Sequence, residues 1–301
     1  MKDRIACTFC ESSHLRKSRF RRPVKWDGTV FNFLYCKTCR AFSLYPLLSE
    51  NQLKKLYSED YAKRNTPSEA SYAEFFFNHG FEHSLKILKD ALNSNTRICD
   101  FGCGTDDTIA NLAEKIGAKY YGVEYEQSVV MSLTRDKPKN KYFTLEEFIK
   151  NDNSFDIIFI GDVLEHVPSP NKLLQIIAQK IEPHGKIVIQ GPLENAPGTL
   201  NMLVKIKSLF MQRKEVLHHP YHVSLASRKS MHELFQRNGL QIMKFKTYEV
   251  MWPLNSKLIE RKSRFLNPMY LAKFLDFKAQ RFFPLAGNRF LAVLKSRNLN
   301  T

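Results

Sequence analysis

From Thr96 onward the chain alternates short apolar runs with amphipathic stretches, and this rhythm restricts the fold more than any other feature of its 301 residues. Arg97 to Phe101, Lys119 to Val123, Phe155 to Ile160 and Lys186 to Gln190 read as buried strands. Helical periodicity follows them at 107–117, 127–135 and 170–181. Apolar strands separated by amphipathic helices imply βαβ units, an α/β fold with a parallel sheet covered by helices on both faces. Leu240 to Tyr248 and Phe290 to Leu294 read as two further strands with a long insertion between them.

The first of these strands runs into Asp100-Phe101-Gly102-Cys103-Gly104-Thr105-Asp106-Asp107, and a helix opens near Thr108. Glycines there let the backbone turn sharply beside the free N–H groups of a helix start, a place where a ligand can come close. The second strand ends in Gly122-Val123-Glu124, with Tyr125 next. An acid at that position accepts the two hydroxyls of a ribose. A dinucleotide is disfavoured: its fingerprint needs a third glycine where Asp107 stands, and Asp106 and Asp107 would repel a pyrophosphate. A ligand carrying sulfonium and ammonium groups suits them better. Either aspartate serves equally well as a cap of the helix.

A third segment, Phe155-Asp156-Ile157-Ile158-Phe159-Ile160-Gly161-Asp162-Val163-Leu164-Glu165-His166-Val167, completes an ordered set of motifs. Over residues 96–301 the chain resembles the class I S-adenosylmethionine-dependent methyltransferases. The resemblance implies a Rossmann-like seven-stranded sheet, mostly parallel with the last strand antiparallel, and S-adenosyl-L-methionine as cofactor. It places Asp100, Gly102, Cys103 and Gly104 along the methionine half and Glu124, with Tyr125 beside it, at the ribose. Asp106 stands where many members have glycine. Asp162 and His166 fall at the carboxyl edge of the sheet, where open α/β folds bind ligands. Asp162 is a candidate for the cofactor, and His166 either a general base or a residue that orients a loop.

Ahead of this core are four of the six cysteines, in two Cys-x2-Cys pairs: Cys7 with Cys10, and Cys36 with Cys39. Four thiolates at such spacing suit one tetrahedral zinc ion with no open coordination position, hence a structural metal. Between the pairs, Asp27-Gly28 flanked by Val24, Trp26, Val30 and Phe31 reads as a β-hairpin. The organisation expected is a zinc-ribbon-like module at 1–45, a helical linker or cap at 46–95, and a methyltransferase domain at 96–301. Acceptor-side insertions would occupy 192–225 and 250–287.

The first insertion carries His218, His219, Tyr221 and His222. As a metal site this run is poor, because adjacent histidines lack helical i, i+4 spacing and no nearby carboxylate completes a triad. A zinc-binding N-terminus, a methyltransferase core and a His-rich segment together look like the sugar methyltransferases of bacterial glycan and antibiotic pathways. Those enzymes often show Glu-His-Leu-Ser here; His222 and Ser224 are the nearest match, and Tyr221 stands in place of the glutamate. O-methylation of a sugar is the resulting expectation, with His222 as base and Tyr221 orienting the acceptor.

The net charge of +16 is uneven. Counted by segment it is +6 over residues 1–50, −4 over 51–199 and +14 over 200–301. Basic ends around a slightly acidic core point to an anionic partner, or to solubility alone. The partner expected is a sugar or glycan acceptor, anionic or lipid-linked. Peripheral contact with an anionic membrane fits the basic, aromatic-rich stretch 257–285. RNA, gripped by a zinc-ribbon RNA methyltransferase, is a second reading, and a degenerate S-adenosylmethionine-binding protein a third. There is no run of about eighteen apolar residues and no apolar segment after Met1 of the kind a signal peptide needs, so a cytoplasmic protein is expected.

Overall fold

The computed structural model describes residues 5–64, 81–210, 214–250, 268–283 and 287–297. Four strands open the chain: β1 (Leu15–Lys17), β2 (Val24–Trp26), β3 (Thr29–Cys36) and β4 (Phe42–Tyr45). The hairpin between β2 and β3 turns at Asp27 and Gly28, both with positive φ (48° and 70°). Such a turn matches the right-handed twist of the strands it joins. Helices Glu50–Arg64 and Glu82–Ala91 then lead to the large sheet.

That sheet consists of β5 (Arg97–Phe101), β6 (Lys119–Glu124), β7 (Lys141–Thr144), β8 (Phe155–Gly161), β9 (Ile181–Pro192), β12 (Leu240–Tyr248) and β13 (Arg289–Ser296). Its order is β12-β13-β9-β8-β5-β6-β7. The five strands β5 to β9 run parallel, and β13 is antiparallel to both of its neighbours. This is the seven-stranded arrangement expected from the motifs.

Alternation along each strand sends side chains to two separate cores. Ile98, Ile157, Phe159, Val188 and Leu291 meet Leu88, Ile109 and Ala113 from helices Glu82–Ala91 and Thr108–Ile116. Cys99, Ile158, Ile160, Ile189 and Ala292 meet Leu174, Ile177, Leu234 and Phe235 from helices Pro170–Gln179 and Arg228–Arg237. Both faces are dry, which explains why the central strands are apolar without a polar side.

Two short strands of the acceptor-side segment leave the large sheet altogether. β10 (Val216–Leu217) pairs in parallel with β2, and β11 (Ser224–Leu225) pairs antiparallel with β4. The small sheet is therefore β10-β2-β3-β4-β11, with β1 on β3. Its core joins Phe31 and Leu44 to Leu56 of helix Glu50–Arg64 and to Val223 of the acceptor segment. No helix among the described residues is long and apolar enough to cross a membrane.

Candidate functional site

Where the loops after β5 and β8 diverge, an open α/β sheet forms a crevice at its carboxyl edge. Here the crevice is a cavity of about 1490 Å³ that runs from the glycine turn to the acceptor segment.

At its first end the turn depends on Gly102, whose φ is +78°; a Cβ there would lie 2.4 Å from Cγ2 of Val163. Glu124 is buried and ties the turn to β6, accepting hydrogen bonds from the N–H groups of Gly104 (2.8 Å) and Tyr125 (2.7 Å). Asp100 is buried at the end of β5, and burial pushes its carboxyl up to about 7 against the opposing hydrogen bond from the Tyr120 hydroxyl. Asp106 accepts from the Thr108 N–H at 2.7 Å in a turn just ahead of the helix, while Asp107, at the N-cap position, makes no capping bond with its side chain and pairs with Lys137 instead. Cys103 is buried and lines the same end. Tyr125 packs against Tyr57 with ring centroids 5.0 Å apart, so helix Glu50–Arg64 covers this part of the cavity.

At the other end Asp162, with φ 55°, accepts two hydrogen bonds from Arg289 (2.6 and 2.7 Å). Arg289 is buried at the start of β13, and Asp162 outweighs the burial that works against its charge. Next to this pair are His166 and His222, edge to face with ring centroids 4.9 Å apart. His166 donates from Nδ1 to the Tyr221 carbonyl (2.8 Å), and His222 from Nδ1 to Oε1 of Glu194 (2.7 Å). Burial opposes charge on His222, but Glu194, with Glu165 and Asp162 behind it, lifts the imidazole to about 9. Burial, reinforced by the charge of Asp162, pushes Glu165 up to about 8.

Long-range pairing assembles this group. β11 lies along β4 with Ser224 opposite Ser43, and the N–H groups of Val223 and Ser224 donate to the Glu165 carbonyl (2.8 and 3.0 Å). The loop after β8 and the acceptor segment are thereby clamped together. In the sequence no carboxylate completes a triad with the histidines of the insertion; the fold brings Glu165 and Glu194 to them, two residues that sequence reasoning left without a role. Tyr221 meets His166 through its backbone carbonyl, while its ring stacks on His219 at 5.5 Å. His219 in turn faces Trp26, so these two rings pack toward the N-terminal module.

The four cysteines of the N-terminal module converge. Cys7 and Cys39 have their sulfurs 3.5 Å apart, Cys10 and Cys36 theirs 3.6 Å apart, and all four are buried. A disulfide needs about 2.05 Å. Four thiolates around one ion at about 2.3 Å stand roughly 3.8 Å from one another. The donor set and its spacing fit a tetrahedral metal. Only part of the basic stretch 257–285 lies within the described residues; there Leu275, Phe282 and Phe283 are exposed.

A family model described as a methyltransferase domain matches residues 72–244. Phosphoethanolamine N-methyltransferase of Plasmodium falciparum is 30% identical over 118 residues, 36% of this chain and 44% of that protein. Phosphoethanolamine N-methyltransferase 2 of Caenorhabditis elegans is 24% identical over 119 residues, 36% of this chain and 27% of that protein. The chain thus spans less than half the length of these curated relatives. Among solved structures, a chain from the complex of the Haloferax volcanii Trm112 methyltransferase activator with a methyltransferase superposes with a TM-score of 0.54. That match has 13% identity and covers 83% of this chain and 99% of the other, a likeness of fold.

Proposed function

The chain belongs to the methyltransferase-domain family, and from that premise we propose that it moves the methyl group of S-adenosylmethionine onto a hydroxyl of a sugar acceptor. One observation carries the reading: a single cavity joins the glycine turn to the buried Glu165, His166 and His222 group. In it the cofactor lies along Asp100, Gly102 and Gly104 with its ribose toward Glu124, and the acceptor hydroxyl meets the histidines. Transfer forms an O–C bond as the C–S bond breaks, so holding oxygen, methyl and sulfur in line supplies much of the acceleration. Arg21 and Lys172 line the same cavity among a larger number of carboxylates, and they are the groups there that would meet an anionic or lipid-linked glycan. The four thiolates of the N-terminal module hold a structural zinc ion in this reading, supported by their burial and spacing.

His222→Ala should abolish turnover while calorimetric binding of S-adenosylmethionine stays intact. Radiolabel from the methyl group should enter a glycolipid extract, and label appearing in total RNA instead would sink the sugar reading. The cofactor's charge gives a second test. A cationic ligand favours the ionised form of Asp100, whose carboxyl titrates at about 7. Affinity for S-adenosylmethionine should therefore rise as pH rises through that value and level off above it. Asp100→Asn should flatten the profile; an unchanged slope in that variant would refute the assignment.

A further inference from the structure

Glu165 is 5% exposed, and its Oε2 has no hydrogen-bond partner among the described residues. A buried carboxylate oxygen left in that state is costly unless a proton or a metal cation meets it, and the cation takes the proton's place. Beside it are two imidazoles pinned in the same way. His166 is held at Nδ1 by the Tyr221 carbonyl and His222 at Nδ1 by the Glu194 carboxylate. With Nδ1 of each ring held by an oxygen, Nε2 is the nitrogen that faces a metal, the arrangement in which histidine ligates with its other N–H fixed by a carbonyl or carboxylate; on His222, which Glu194 favours in its protonated form, the cation displaces the Nε2 proton. Nε2 of His166 lies 3.9 Å from Oε1 of Glu165, and one ligand atom from each of Glu165, His166 and His222 falls within 4.8 Å of the others.

We infer that Glu165, His166 and His222 form a binding site for a divalent first-row transition cation, with Glu194 and the Tyr221 carbonyl as the groups that orient its ligands. The inference rests on the hydroxyl-transfer reading and names how the group activates the acceptor. Two imidazoles and one carboxylate select manganese, iron, cobalt or zinc over magnesium and calcium, which take oxygen donors. Ligands at roughly 2.0–2.2 Å from one ion stand about 3–3.5 Å apart, so the side chains need to close by about an ångström. Charge is consistent: Arg289 already neutralises Asp162, leaving Glu165 and Glu194 to balance a dication. All three ligands line the cavity, so the remaining coordination positions open toward the acceptor. An acceptor hydroxyl bound there loses its proton to water more readily because the cation stabilises the alkoxide. The alkoxide oxygen then bonds to the methyl carbon, and the C–S electron pair returns to sulfur, leaving a neutral thioether.

The probe is Mn2+, added to the full-length protein with zinc on its four thiolates and followed by loss of the free-ion electron paramagnetic resonance signal. Manganese prefers oxygen and nitrogen donors, which separates this site from the cysteines. One ion per chain is expected to bind. Glu165→Gln and His166→Gln should abolish binding, and Glu194→Gln should weaken it about 10–100-fold, with S-adenosylmethionine binding as the check on folding. In case the variants misfold, wild-type turnover after dialysis against a chelator should fall at least about tenfold and return with Mn2+. Absence of Mn2+ binding, or binding that survives Glu165→Gln, overturns the site. Transfer undiminished by chelation sinks the cation and leaves methyl transfer standing. Bound Mn2+ without transfer to any hydroxyl acceptor does the reverse.

Discussion

Replacing Cys39 with serine should unfold the N-terminal module and stop methyl transfer in a protein that still binds S-adenosylmethionine. The cysteines sit where the module is joined to the rest of the chain. One part of its apolar core is Phe31, Leu44, Leu48, Leu56 and Val223, the last from the acceptor segment, and the other, Phe9 and Ala41 beside the thiolates, belongs to the core of the large domain. A structural zinc site contributes on the order of 10–16 kcal/mol to small metal-dependent folds, comparable with or above the whole stability of a domain. The damage would spread by named contacts. Ser227, which caps helix Arg228–Arg237, donates from its hydroxyl to the Cys39 carbonyl (2.7 Å), and Asn195 donates to the Arg40 carbonyl (2.7 Å). With β4 gone, β11 loses its partner, and the clamp that brings His222 to Glu165 opens. The glycine turn is held by β5 and β6 instead, through Glu124, and should survive. Zinc release to a chromophoric chelator, limited proteolysis and calorimetry with S-adenosylmethionine read these three outcomes. Wild-type turnover in Cys39→Ser would show that the thiolates have no such role.

Arg289→Leu should strongly destabilise the large domain. Asp162 and Arg289 meet through two short hydrogen bonds, with side chains 21% and 5% exposed. Removing one partner of a buried ion pair leaves the other charge uncompensated, a loss of about 3–5 kcal/mol. For a domain of this size that corresponds to a fall in Tm on the order of 10 °C. Asp162→Asn in the same chain removes the stranded charge and should recover part of the loss. The comparison is made by thermal unfolding of the three variants; a double variant no more stable than Arg289→Leu alone would show that the cost is lost packing rather than charge.

The large sheet was legible because its strands are apolar runs with a regular spacing. Arg97 to Phe101 and Leu240 to Tyr248 were located to the residue, and β6 and β8 within one. β7 left no comparable trace. Lys141–Thr144 is four residues at the sheet edge with no fully buried side chain, too short for a period to register. The capping box of Thr144 and Glu147 was the available signal. The site was half legible. His166 and His222 stood out as titratable rings, but their meeting depends on the register of β11 against β4, and pairing across so many residues leaves no mark in either segment. Glu165 and Glu194 acquire their roles only through that pairing. Arg289 falls one residue ahead of the strand read at Phe290 to Leu294; its value comes from Asp162, far away in sequence.

The interleaving of β10 and β11 with the N-terminal strands has a consequence for how the chain matures. β4 ends at Tyr45, and its outer neighbour begins at Ser224. During synthesis the cysteines emerge first, yet their sheet waits for most of the methyltransferase core before its edges are covered. In that interval β2 and β4 present unpaired strand edges, the surfaces on which nascent chains aggregate. Early metal capture would hold the module in shape until its last strands arrive, so zinc supply during translation should govern the yield of folded protein as well as its stability afterwards.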